Sequence, residues 1–162
     1  MQVEAELAEI SPENDMLLTI GVFDGVHLGH KYLLSQLKKR ARQQNLLSGV
    51  ITFRQHPRAV LSARDELPYL TSLAEKVHLI KNEGIDSVIT LSFTSELAQL
   101  SASQFVGLLK KHLRMRGLLL GADFVLGRNR EGDVDTLGRL GREMDRPGKL
   151  SVSVFTRPAM SG

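Results

Sequence analysis

The chain has no cysteine and no tryptophan, and among its 162 residues there are only six Phe, two Tyr and five Pro. Without cysteine there can be no disulfide scaffold, thiolate zinc site, cysteine nucleophile or iron–sulfur cluster. The scarcity of aromatic rings leaves little for stacking on nucleic-acid bases. No run approaches the ~20 apolar residues needed to span a bilayer. The opening MQVEAELAEI carries acids where a secretory leader would carry a basic segment and an apolar core. Neither charge dominates: 21 Lys+Arg against 18 Asp+Glu leave +3, with five histidines neutral. Despite an isoelectric point of 9.4, that balance argues for solvated faces rather than a nucleic-acid footprint. What remains is 42% hydrophobic and 24% charged, an ordinary globular composition. The length suits one domain, 1–162, with a sizeable core. The expectation is a cytoplasmic protein whose chemistry rests on His, carboxylates, hydroxyls, arginine and backbone amides, without a membrane or nucleic-acid partner.

The patterning alternates between two periods. MLLTIGVF, residues 16–23, predicts a buried strand that ends at Asp24-Gly25. From Leu28 to Asn45 the apolar positions Leu33, Leu34, Leu37 and Ala41 are interleaved with Lys38, Lys39, Arg40 and Arg42, which predicts an amphipathic helix. LLSGVITF (46–53) predicts a second strand, followed by a loop containing His56-Pro57. Ser72-Leu73-Ala74-Glu75 has the capping-box pattern for a helix to Glu83, with Gly84 as its left-handed stop. A third strand follows at 85–92, then a second capping box at Ser101-Ala102-Ser103-Gln104, with a helix expected to run to Arg116 and stop at Gly117. GLLLGA predicts a fourth strand and 123–132 a Gly-rich charged loop; Asp133 would cap a weaker helix before a last strand at 150–156. Apolar strands alternating with amphipathic helices predict a doubly wound, parallel α/β sheet of about five strands. Ligands in such sheets collect at the carboxyl ends of the strands.

The densest constellation lies where the first strand hands over to the first helix: Gly21-Val22-Phe23-Asp24-Gly25-Val26-His27-Leu28-Gly29-His30. Glycines let backbone approach a ligand, and a helix N-terminus offers unpaired N–H donors at the positive end of its dipole. The segment is neither a Walker loop nor a G-x-G-x-x-G fingerprint. It contains H-x-G-H, and His27 and His30 would project toward the same place. Taken alone, two histidines near a helix start read more readily as capping or surface residues than as ligands. A metal site lacks a third ligand nearby.

Thr19-Ile20-Gly21-Val22-Phe23-Asp24-Gly25-Val26-His27-Leu28-Gly29-His30 resembles the signature of the nucleotidylyltransferase superfamily, in the form used by the adenylyltransferase module of bacterial FAD synthetases. Further blocks resemble that family in order: Thr52-Phe53 with His56-Pro57, then Leu70-Thr71 with Glu75-Lys76. Phe93-Thr94 with Glu96-Leu97 and Leu100-Ser101-Ala102 come next, and Gly121 to Gly127 with Arg130 and Gly132 come last. Leu126 stands where the resemblance would place an aromatic residue.

The resemblance implies a Rossmann-like, HUP-type fold and transfer of AMP from ATP to the phosphate of FMN, giving FAD and pyrophosphate. It assigns His27 and His30 to the triphosphate and the transition state, and Gly21, Phe23, Asp24, Gly25 and Gly29 to ATP. Phe53, His56, Pro57, Asp123, Phe124, Gly127, Arg128 and Arg130 would serve the flavin and its phosphate. Asp24 could equally fix the turn through an Asx bond, and His56-Pro57 could simply shape a turn. Mg2+ would arrive with ATP, with no all-protein metal site. His78 and His112, inside predicted helices, are expected at the surface, as are the basic stretches 38–42 and 110–116, each placed along a helix. A Ser-Ser-Thr-x-x-Arg segment and a riboflavin kinase module, which the resemblance would place after the last strand, are expected to be absent from this sequence. A flavin- or nucleotide-binding module without turnover, and a nucleotidylyltransferase with another phosphate acceptor, are the alternatives.

Overall fold

Each predicted apolar run becomes a strand of one parallel sheet in the computed structural model, which describes residues 2–21, 23, 28–54, 72–121, 125–126, 132–133 and 151–155. In chain order the elements are α1 (Gln2–Ala8), β1 (Met16–Ile20), α2 (Leu28–Gln43), β2 (Leu47–Phe53), α3 (Leu73–Asn82), β3 (Ser87–Leu91) and α4 (Ser95–Ala98). They continue with α5 (Ala102–Leu113), β4 (Met115–Gly121), β5 (Val125–Leu126), β6 (Gly132–Asp133) and β7 (Ser151–Phe155). The sheet order is β3-β2-β1-β4-β7, with every neighbouring pair parallel. From β1 the chain steps outward through β2 to β3, then returns across β1 to β4. The crevice beyond the carboxyl ends of β1 and β4 is therefore the topological switch point.

Alternation along the strands divides the core in two. Leu18 and Ile20 of β1, Ile51 and Phe53 of β2, and Leu118 and Leu120 of β4 pack on Val3 and Leu7 of α1 and on Phe105, Val106, Leu109 and Leu113 of α5. On the opposite face Leu17, Val50 and Leu119 meet Leu33, Leu34, Leu37 and Ala41 of α2 and Ile80 of α3. The four apolar positions of the predicted α2 stripe are thus all buried. Each such Leu contributes roughly 1.5–3 kcal/mol through burial.

Helix ends follow local chemistry. Ser72 Oγ accepts from Glu75 N (3.1 Å), and Ser101 and Gln104 form a reciprocal capping box. Gly84 adopts the expected left-handed conformation, φ +89°. Three expectations are corrected. The helix predicted to reach Arg116 ends at Leu113, because Arg114 itself takes the left-handed position (φ 54°), and Gly117 lies within β4. The basic stretch 110–116 is therefore split between a helix and a strand. Strand β1 stops at Ile20 rather than continuing to Phe23, whose φ of 55° takes the chain out of the sheet. Asp133 sits in β6, antiparallel to β5, rather than capping a helix. Helices α1 and α4 have no counterpart in the sequence reading. Among the described residues no helix is long and apolar enough to cross a membrane.

Candidate active site at the carboxyl edge of the sheet

In a parallel sheet every connecting helix starts beside the carboxyl ends of the strands, so their positive N-terminal ends gather at one edge. Helix α2 begins there, eight positions after the end of β1 in the sequence, and has no acidic residue in its first turn. Gly29 and His30 lie in that first turn. His27, Asp24 and Gly25 lie outside the described residues, as do His56, Pro57, Asp123, Phe124, Gly127, Arg128 and Arg130.

The exit of β1 is built tightly. Gly21 N still donates to Ile51 O of β2 (3.0 Å), which keeps one more ladder bond beyond the strand. The chain then turns through Phe23, whose left-handed backbone carries its ring back into the core between the sheet and α2. A Cβ on Gly21 would lie 2.7 Å from that ring, so the glycine is needed for the turn to close on itself. Left-handed φ at an aromatic residue stores roughly 1–2 kcal/mol of strain, and such strain concentrates at ligand-binding turns.

At the exit of β2, Phe53 is nearly buried and packs edge-on against Phe93, with ring centroids 5.3 Å apart. Its carbonyl accepts from Lys76 Nζ (3.1 Å), a buried lysine of α3. Thr19 Oγ1, in β1, is buried and has no hydrogen-bond partner among the described residues. At the exit of β3, Ser92 donates through N and Oγ to the Glu6 carboxylate (3.1 and 2.9 Å). Thr94 Oγ1 caps α4 by accepting from Leu97 N.

The structure thus brings Gly21, Phe23, Phe53 and the first turn of α2, with Gly29 and His30, to one edge. Sequence reasoning missed the burial of Lys76, although the signal was present: a lysine four residues before Ile80 falls on the helix stripe that faces the core. Thr19 carried a similar signal, as the single hydroxyl in an apolar run. His78 is exposed, with Nε2 3.1 Å from Asn82 Nδ2, while His112 is largely covered and pairs with Glu4 (2.8 Å). Other parts of the basic stretches also meet protein partners: Lys38 donates to Glu83 O, Lys111 pairs with Glu4, and Arg114 and Arg116 share Asp15.

A family model described as FAD synthetase matches residues 9–154. The bifunctional riboflavin kinase/FMN adenylyltransferase of Escherichia coli K12 is 42% identical over 135 residues, covering 82% of this chain and 43% of that protein. The proteins of the same description from Pseudomonas fluorescens and Listeria monocytogenes are 36% and 35% identical. They cover 87% and 76% of this chain and 46% and 40% of their own lengths. The chain therefore spans less than half the length of these relatives. A crystal structure of a macrolide-efflux protein from Streptococcus pneumoniae superposes with a TM-score of 0.76 at 23% identity, over 95% of this chain and 48% of that one. At that identity the likeness speaks for the fold alone.

Proposed function

Since the chain belongs to the FAD synthetase family, we propose that it is an FMN adenylyltransferase, carrying AMP from ATP to the phosphate of FMN and releasing pyrophosphate. The observation that carries this reading is the coincidence of the family match with the switch-point edge, where Gly21, Phe23 and the first turn of α2 meet. FMN phosphate, with a second pKa near 6, is already ionised at neutral pH. Its oxygen therefore attacks the ATP α-phosphorus without a general base. The bond from the α-phosphorus to the bridging oxygen breaks, and pyrophosphate leaves with that electron pair. The protein's work is alignment and stabilisation of charge on the phosphate oxygens.

In this reading the N-terminal end of α2 faces the triphosphate, and His27 and His30 donate to it as imidazolium groups, their charge favoured by the phosphates. Gly21, Phe23, Asp24, Gly25 and Gly29 form the adenylate side. Phe53, His56, Pro57, Asp123, Phe124, Gly127, Arg128 and Arg130 form the flavin side, with arginine forking onto a phosphate. Magnesium enters as part of the ATP substrate, and the reaction takes place in the cytoplasm. The riboflavin kinase activity named for the relatives remains theirs.

The test is FAD formation from FMN, ATP and magnesium, followed by chromatography and pyrophosphate release. Stoichiometric FAD and pyrophosphate are expected. Binding of FMN or ATP without turnover would replace the enzyme with a binding module. Turnover with another phosphate acceptor in preference to FMN would change the substrate.

A further inference from the structure

Lysine is rarely buried unless its charge is held, and Lys76 is 8% exposed on a short helix whose neighbouring core position is Ile80. Its stem takes an apolar position and its ammonium reaches the Phe53 carbonyl at 3.1 Å. The place of that carbonyl follows from the ladder. Along a strand, carbonyls alternate sides, and Ile51 O takes Gly21 N from the β1 side. The next β2 acceptor on that side is Phe53 O. Strand β1 has already ended at Ile20 and turned away through Phe23, so Lys76 supplies a donor just beyond the place where the neighbouring strand stops. On the other side of β2, Arg54 N continues to Leu91 O (2.9 Å). The ammonium thus sits between the exits of β1 and β2, beneath the working edge of the sheet.

Methionine would fill the same stripe but would leave the Phe53 carbonyl without this donor, at the cost of a lost hydrogen bond. We propose that Lys76 is a positioning residue for the flavin-phosphate side of the site. It fixes the exit of β2 through Phe53 and sets a buried positive charge below the phosphate that attacks. The proposal rests on the FMN adenylyltransferase reading, and within it Lys76 acts through Phe53 rather than by touching substrate.

The experiment compares Lys76→Met and Lys76→Arg with wild type, and with Lys81→Met on the exposed side of α3 as control. Each protein is assayed for FAD formation with FMN and ATP varied separately, and for thermal unfolding. Wild type is assayed first: if it makes no FAD, the functional reading of the preceding section fails, and FMN binding by calorimetry then tests Lys76 on its own. In Lys76→Met, KM for FMN is expected to rise by on the order of tenfold, while KM for ATP stays within about twofold even as the lost hydrogen bond to Phe53 lowers the melting temperature. Lys76→Arg should recover part of the loss, and Lys81→Met should match wild type. An unchanged KM for FMN in a folded Lys76→Met protein overturns the proposal. Equal losses for both substrates with a lower melting temperature also overturn it, since that pattern marks packing alone. If Lys76→Met does not fold, the 15N resonance of the Lys76 ammonium in wild type decides: a shift on adding FMN supports the role, and an unmoved resonance removes it.

Discussion

The two edges of the sheet are built from opposite chemistry. At the amino edge, carboxylates are locked by donors. Asp15 takes Arg114 Nε and Arg116 Nε at 2.9 and 2.8 Å, its carbonyl accepts from Leu47 N, and Asp86 exchanges three hydrogen bonds with the buried Ser48. These contacts tie the starts of β1, β2, β3 and β4 into fixed register. At the carboxyl edge, the exits of β1 and β2 carry a left-handed Phe23, an ammonium on a strand carbonyl, and a buried hydroxyl without a partner among the described residues. The starts of α2 and α3 lie on that side as well. The contrast teaches that one edge secures the fold, while the other, under the proposed function, keeps donors for phosphate-bearing substrates. Glu6 on Ser92 is the exception, a carboxylate at the β3 exit used to dock α1.

The contrast can be broken by substitution. The largest effect is expected at the carboxyl edge: His30→Ala should lower kcat about 10²–10³-fold with little change in the unfolding midpoint, as read by FAD formation and denaturant titration. Full activity in that variant would detach the first turn of α2 from catalysis. Gly21→Ala forces a Cβ against the Phe23 ring. It should cost roughly 1–3 kcal/mol of stability and reduce activity at the same time, which chemical denaturation and turnover would show together. At the amino edge the effects should separate. Asp86→Ala takes acceptors from buried Ser48 and should cost about 1–2 kcal/mol, leaving both KM values unchanged.

The smallest effect lies away from both edges, between α1 and α5. Hydrogen bonds from His112 and then Lys111 hold the Glu4 carboxyl below its ordinary 4.5. A depressed carboxylate pKa stabilises the fold above the unfolded value and loses that contribution as pH falls through the folded one. The stability difference between wild type and Glu4→Gln should therefore be present above pH 4.5 and disappear as pH falls through the depressed pKa. Thermal melts across that range would show it, and a difference independent of pH would contradict the pairing.

Much of the fold was legible because its causes are local. The α2 stripe at Leu33, Leu34, Leu37 and Ala41, the Ser101–Gln104 box and the left-handed Gly84 each follow from spacing or from one residue's conformational range. Gly117 misled because the left-handed stop fell instead on Arg114, whose guanidinium is also held by Asp15, 99 positions away. Helix α1 was invisible for the same kind of reason. It has only Val3 and Leu7 buried, and it is held by Glu96, Ser92, Lys111 and His112 from distant segments. Within the candidate site, Gly29 and His30 of the H-x-G-H segment fall in the first turn of α2, after the β1 exit, and His27 lies outside the described residues. The burial of Lys76 was legible from its spacing to Ile80; its hydrogen bond to Phe53 O was not, since only the strand order places that carbonyl beside the end of β1.

The most direct test of the division between the edges is amide hydrogen exchange with and without saturating FMN and magnesium ATP. Slowed exchange is predicted at Gly21, Phe23, Phe53 and Arg54, with no change at Met16, Leu47, Ser48, Asp86 or Met115. Protection at the amino-edge residues, with the carboxyl edge unaltered, would contradict the account.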